Sequence, residues 1–318
     1  MIIPAGKGMF IWQIPRCGSP QWLADQAALF GFKYLLIKIA DGIYDYGVNG
    51  GVDQAQQLVN ALHANGLEAW GWQYLYSFQP EREAAKAMER ILETGVDGFV
   101  IDAEGQCKGR SEAVKIYCRD LRAEMDELPI GLSSYRFPSL HRELPWNELR
   151  AICDFDMPQV YWMGAHNSGA QLRRCEAEFE QFGKKLPLIP TGAAFREHGW
   201  QPTAAEISEF MTVAGELGMA GFNFWEWYDA FFVLPKDCWE AITGYEQLEP
   251  PPQGDYVMVN TGTLNIRNKA EVRLETIIGQ TNSGKIWEVT GRMVDGQGRM
   301  WVKSGPTAHL AAWLCKEL

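Results

Sequence analysis

The chain has 318 residues, 47% of them hydrophobic and 22% charged, a balance that excludes intrinsic disorder and fibrous repeats and leaves room for one large domain with a small companion. Forty acidic against 29 basic residues give a formal charge of −11 and a pI near 5.0. With no block or stripe of Lys and Arg, neither nucleic acid nor an anionic membrane is an expected partner.

In chain order, short apolar or aromatic runs alternate with polar stretches of helical spacing. Met9 to Gln13 reads as a strand, and a helix follows it with Ser19 as cap and Pro20 in its first turn. Tyr34 to Ile39 precedes a helix near Val52 to Ala64 ending at Gly66, and Glu68 to Tyr74 precedes one near Glu81 to Glu93 ending at Gly95. Gly98 to Asp102 is followed by Ser111 to Glu127, Ile130 to Ser134 by Pro145 to Ala151, and Phe155 to Tyr161 by Ser168 to Phe182. The last pairs are Leu188 to Thr191 with Thr203 to Leu217, where Thr203 and Glu206 make a capping box, and Gly221 to Trp225 with Pro235 to Ile242.

Eight such units in residues 1–246 predict an α/β fold of the (β/α)8 TIM barrel type, whose strands are covered on both faces and so read as uniformly apolar. An open doubly wound sheet is the alternative, but no Gly-rich phosphate turn follows the first strand. Residues 247–254, with Pro250 to Pro252, read as a stiff linker. Residues 255–318 read as a small all-β module with turns at Asn282-Ser283-Gly284 and Asp295 to Gly298.

In such a barrel the chemistry lies at the C-terminal ends of the strands. There Asp102 and Glu104 close an apolar run two residues apart, so period-two alternation puts both on one face, about 6 to 7 Å apart along the strand. Two carboxylates so placed repel when both are ionised, which favours retention of one proton, the condition for a general acid. Glu104 is read as the acid and Asp102 as its support. Trp12, Gln13, Gln73, Tyr135, Gln159, Tyr161, Trp225 and Glu226 are the expected substrate-binding residues. Glu226 has two readings: pointing inward it would complete a carboxylate pair with Glu104, whereas alternation turns it away if Trp225 faces the mouth. The five histidines show no metal spacing and the seven cysteines no C-x-x-C or Cys/His cluster, so reduced thiols, no metal and no cofactor are expected.

The run Asp97 to Glu104 resembles the strand-four signature D-G-x-D-x-D-x-E of family-18 glycoside hydrolases, the chitinase-like barrels, with Val100 in place of the middle Asp. Gln159-Val160-Tyr161-Trp162 resembles their strand-six M-x-Y-D, and Phe222 to Trp225 their final strand, whose Trp forms the floor beneath the sugar. The resemblance implies substrate-assisted cleavage next to an N-acetylhexosamine, with Asp102 orienting the acetamido group. The D-x-E at strand four is also similar to family-25 lysozymes, although Gln13 and its neighbours lack the strand-one Asp of that group. Leu264-Asn265-Ile266-Arg267, with Trp301 and Ala312-Trp313-Leu314, resembles bacterial SH3-type domains, which implies binding to peptidoglycan.

The expected function is a glycoside hydrolase acting on an N-acetylhexosamine polysaccharide, the bacterial cell wall foremost, by acid-assisted cleavage. A barrel that binds glycan without turnover is the alternative, motivated by Val100 and Gln159. Met1 to Pro15 shows no signal-peptide pattern, so a cytoplasmic protein, or one released by lysis in the manner of a phage lysin, is expected.

Thirteen tryptophans are an unusual number. Because a buried indole N–H seeks a partner, those at strand ends (Trp12, Trp72, Trp162, Trp225 and Trp227) are read as sugar-stacking candidates, and Trp287, Trp301 and Trp313 as core of the tail.

Overall fold

The computed structural model describes residues 3–245 and, beyond them, the segments 256–259, 263–267, 277–282, 286–288, 291–295, 299–304, 308–311 and 315–317. The linker expected at 247–254 and the Ala312-Trp313-Leu314 motif lie outside these residues, and of the Trp287 side chain nothing is described.

Eight parallel strands form the first unit: β1 (Gly6–Ile11), β2 (Tyr34–Asp41), β3 (Glu68–Leu75), β4 (Gly98–Ala103), β5 (Ile130–Tyr135), β6 (Phe155–Val160), β7 (Thr191–Ala193) and β8 (Gly221–Trp225). Each pairs with the next, and β8 pairs back to β1 with Gly6 opposite Gly221, closing the barrel. Around it run α1 (Pro20–Leu29), α2 (Gln54–Ala64), α3 (Pro80–Thr94), α4 (Ser111–Glu124), α5 (Trp146–Ile152), α6 (Ser168–Glu180), α7 (Ala204–Glu216) and α8 (Lys236–Thr243). This is the expected (β/α)8 barrel. Ser19 accepts from the Trp22 amide, Gly95 ends α3 in the left-handed conformation, and Thr203 with Glu206 forms the capping box. Strand β7 starts at Thr191 rather than Leu188, which makes only an isolated bridge to Asp156. Pro187 and Pro190 have no N–H to give to a ladder.

Two apolar cores separate along the strands. Odd-even alternation sends Met9, Ile37, Phe99 and Phe224 outward under the helices, while Phe10, Tyr34, Leu36, Trp70, Trp72, Val100, Phe155, Met157 and Ile189 fill the barrel interior. The interior closes because large rings at the lower end face glycines on a neighbouring strand. A β-carbon at Gly98 would lie 2.1 Å from the Trp70 ring, and one at Gly131 2.2 Å from Phe155. Gly98→Ala is therefore expected to overpack the barrel by about 3 kcal/mol, lowering the melting temperature by roughly 6 to 12 °C. A melt within 2 °C of wild type would show that the Trp70 ring gives way.

The second unit, Glu249–Leu318 by its internal contacts, has eight described strands, all paired antiparallel. In one sheet β9 (Tyr256–Val259) lies between β12 (Ile286–Glu288) and β16 (Cys315–Glu317). In the other, β10 (Thr263–Arg267) lies between β11 (Ile277–Asn282) and β15 (Ala308–Ala311), and β14 (Met300–Ser304) lies between β15 and β13 (Gly291–Val294). Trp301 is buried there, and its indole N–H donates to Asp295 at 3.0 Å.

Candidate active site

The interior face of β4 reads Gly98, Val100, Asp102, and Glu104 follows at the mouth. Asp102 is 6% exposed and Glu104 half-buried. Gln159, at the end of β6, donates through one nitrogen to both: 3.1 Å to Asp102 Oδ1 and 2.8 Å to Glu104 Oε1. Ser133 from β5 lies 3.4 Å from the same nitrogen. One amide thus fixes the spacing of the pair.

Burial, and next the negative charge of Glu104, raise the Asp102 carboxyl well above the ordinary aspartate range; Lys38 opposes them and Asp41 adds to them. The Tyr161 hydroxyl is likewise held in its neutral form by burial and by both carboxylates.

These groups line a cavity of about 250 Å³ together with Trp12, Lys38, Trp72, Tyr74 and Trp225. The Trp225 ring is 5.3 Å from Phe10, 5.5 Å from Trp72 and 6.1 Å from Trp12, so neighbours on β1 and β3 brace it. Lys38 pairs with Asp41 at 2.9 Å and packs against the Tyr46 and Trp72 rings. The Trp72 indole N–H is buried with no acceptor in the protein, and so is the Thr191 hydroxyl on the interior of β7. Of the two, Trp72 lines the cavity, where an unpartnered donor suits a bound polar ligand.

Of the residues expected from sequence, Trp12, Asp102, Glu104, Gln159, Tyr161 and Trp225 meet at this cavity. Tyr135 stands at its edge, with its hydroxyl beside Gly105 and its ring stacked on His141 at 3.6 Å. Three others are elsewhere. Gln73 is on the outward face of β3, donating to the Gly42 and Glu83 carbonyls and accepting from Tyr117, so it joins sheet to helices rather than binding substrate. Gln13 opens the single helical turn Ile14–Cys17 beside the Tyr46 hydroxyl. Glu226 points away from the mouth and accepts from the Tyr228 and Asp229 amides at 3.3 Å each. Burial lifts its pKa to about 7, yet it does not pair with Glu104.

Trp162 and Trp227 are fully buried beneath the helices, without acceptors for their N–H groups. They are core, which corrects their reading as sugar platforms. Lys38, Tyr74 and Ser133 belong to the site but are absent from the sequence-based set. Lys38 had a visible signal, being the one charged residue inside the apolar run Tyr34 to Ile39. Among the described residues no cluster of His, Cys, Asp and Glu suits a metal, and no helix is long and apolar enough to cross a membrane.

No protein-family model and no curated protein matches the sequence. Solved structures do match in fold. The chitinase of Chromobacterium violaceum aligns with a TM-score of 0.54 at 11% identity, over 76% of this chain and 100% of that one. The catalytic domain of a hyperthermophilic chitinase from Pyrococcus furiosus aligns at 0.56 and 13%, over 77% and 98%. The Bacillus cereus spore cortex-lytic enzyme SleL aligns at 0.54 and 12%, over 75% and 73%. At these identities the likeness is one of fold, and the chain shares the TIM barrel of chitinase-like glycoside hydrolases.

Proposed function

We propose that the barrel is a glycoside hydrolase that cleaves a polysaccharide containing N-acetylhexosamine, with Glu104 as proton donor and Asp102 as its supporting carboxylate. The observation that carries this reading is the single Gln159 amide holding both carboxyls at the base of an aromatic-lined cavity. Burial and the Glu104 charge raise Asp102, so the pair holds one proton above the ordinary aspartate range. The more exposed member, Glu104, is the one a glycosidic oxygen meets first.

Asp102 and Glu104 are the only carboxylates among the described cavity-lining residues. Glu226 is turned away and Asp41 is held in its pair with Lys38, so under this reading no protein carboxylate serves as nucleophile or base. The substrate's own acetamido oxygen fills that role, attacking the anomeric carbon while Asp102, once ionised, steadies the positive charge on the acetamido group. Trp225 and Trp12 supply flat surfaces for the sugar, and the neutral Tyr161 hydroxyl is a donor to the acetamido carbonyl. The second unit, under this reading, is an SH3-like module that holds the enzyme on the cell wall.

The chitinase and cortex-lytic likenesses support this class of substrate, and substrate assistance makes it testable. Chitooligosaccharides or purified glycan strands are expected to be cleaved with retention of anomeric configuration, and their de-N-acetylated counterparts are not. Cleavage of the de-N-acetylated chains at a comparable rate would overturn substrate assistance. The second reading, a glycan-binding barrel without turnover, rests on Val100, which puts an apolar side chain below Asp102. Binding with no release of reducing ends would select it.

A further inference from the structure

In a chain of net charge −11, about half of the Lys and Arg side chains in residues 3–245 form ion pairs with carboxylates. Four that form none lie on two neighbouring loops: Lys108 and Arg110 after β4, Arg136 and Arg142 after β5. None has a carboxylate partner among the described residues. The Gly109 amide bonds the Glu143 carbonyl at 2.8 Å, which ties the two loops into one surface.

The cluster is built around an aromatic stack. His141 lies on Tyr135 at 3.6 Å and 10°, and the Lys108 ammonium donates to His141 Nδ1 at 3.0 Å while sitting 5.0 Å from the Tyr135 ring. Burial and the Lys108 charge hold the His141 ring below its ordinary pKa, so it is a neutral acceptor. One N–H of Lys108 is thereby committed and two remain. Arg136 donates to the Tyr161 carbonyl at the cavity wall, and its Nε is buried without a partner. Arg110 packs over Phe78, and Arg142 holds only the Ser139 carbonyl. The nearby acids Glu143, Glu148 and Glu178 form no ion pair with any of the four: Glu143 acts on His141 through its charge, Glu148 accepts from Ser111, and Glu178 accepts from the Ser139 amide and pairs with Arg174.

Cationic groups that form no ion pair of their own are open to an anionic ligand. We propose that these loops form an anion-reading subsite, in which Lys108, Arg110 and Arg142 engage carboxylates carried by an amino-sugar polymer. The inference rests on the glycan reading of the cavity and narrows it, from N-acetylhexosamine polymers in general to those with a carboxylate near the cleaved bond. Such carboxylates are the lactyl ether of a muramyl residue or the acid of a uronate. Arg136, committed to the cavity wall, positions Tyr161 rather than the ligand.

The test uses the full chain as Glu104→Gln, which prevents turnover during titration, and three probes of equal length: chitotetraose, a muramyl tetrasaccharide and a hyaluronan tetrasaccharide. One or both carboxylate-bearing probes are expected to bind about tenfold tighter than chitotetraose, the tighter of them identifying the carboxylate as lactyl or uronate. Adding Lys108→Gln and Arg142→Gln is expected to bring the ratio to about one, whereas Lys108→Arg keeps it. Equal affinity for all three probes, a preference indifferent to the double substitution, or no binding of any probe overturns the subsite. The catalytic reading is scored separately by wild-type cleavage of chitotetraose, so either idea can fail alone.

Discussion

Replacing Glu104 by glutamine is expected to lower glycan hydrolysis about a thousandfold while leaving the barrel folded. Glutamine keeps the side chain's size but has no proton to give a leaving oxygen. The variant also reports on electrostatics. Asp102 is held above its ordinary pKa first by burial and second by the Glu104 charge. It therefore binds its proton more tightly folded than unfolded, and the folded state loses stability as pH rises above the ordinary aspartate range. Removing the Glu104 charge removes part of that loss. Glu104→Gln is thus expected to melt above wild type at pH 7, with the difference closing toward pH 4. Activity within tenfold of wild type would remove Glu104 as the acid, and a large fall in melting temperature would mean that lost activity reflects lost fold.

The second large effect lies beneath β6, the strand that carries Gln159. Arg150, on α5, makes hydrogen bonds of 2.9 to 3.1 Å to the buried Asp156 carboxylate, and it also donates to the Phe182 and Lys184 carbonyls. Both side chains are almost fully buried. Burial pushes Asp156 up to about 6 even though Arg150 opposes it. Arg150→Met leaves Asp156 without its counter-charge and is expected to cost about 3 to 5 kcal/mol at pH 8, lowering the melting temperature by roughly 10 °C. At pH 5 the orphaned Asp156 takes up a proton, and the loss is expected to be smaller. Equal destabilisation at the two pH values would place the effect in packing against Phe179 and Phe182 rather than in charge.

Both experiments bear on strands whose existence is plain in the sequence but whose facing is not. The eight-fold alternation of apolar runs and helical stretches is legible because each barrel strand is covered on both sides and each helix carries one apolar stripe. That same double coverage hides which residues point inward. In β3 the run Trp70-Gly71-Trp72-Gln73-Tyr74 has no polar face, so Gln73 reads as a mouth residue, whereas the register that pairs Lys38 with Trp72 and Trp72 with Val100 turns Gln73 outward. Glu226 is hidden for a different reason: a carboxylate just past a strand end serves a cavity or caps the next turn, and only the position of the Tyr228 and Asp229 amides decides between them.

The sequence by itself determined the barrel, the pairing of Asp102 with Glu104 on one face, and the aromatic and polar residues Trp12, Gln159, Tyr161 and Trp225 at the strand ends. Those are local matters, set by period-two alternation within single strands. Only the tertiary structure decided that Gln159 spans both carboxylates, that Lys38 and Tyr74 join the site, that Trp162 and Trp227 are core, and that the loops carrying Lys108 and Arg142 meet. Each depends on which strands and loops become neighbours in the barrel, whose closing pair β8 and β1 joins residues more than two hundred positions apart through backbone register that no local pattern encodes.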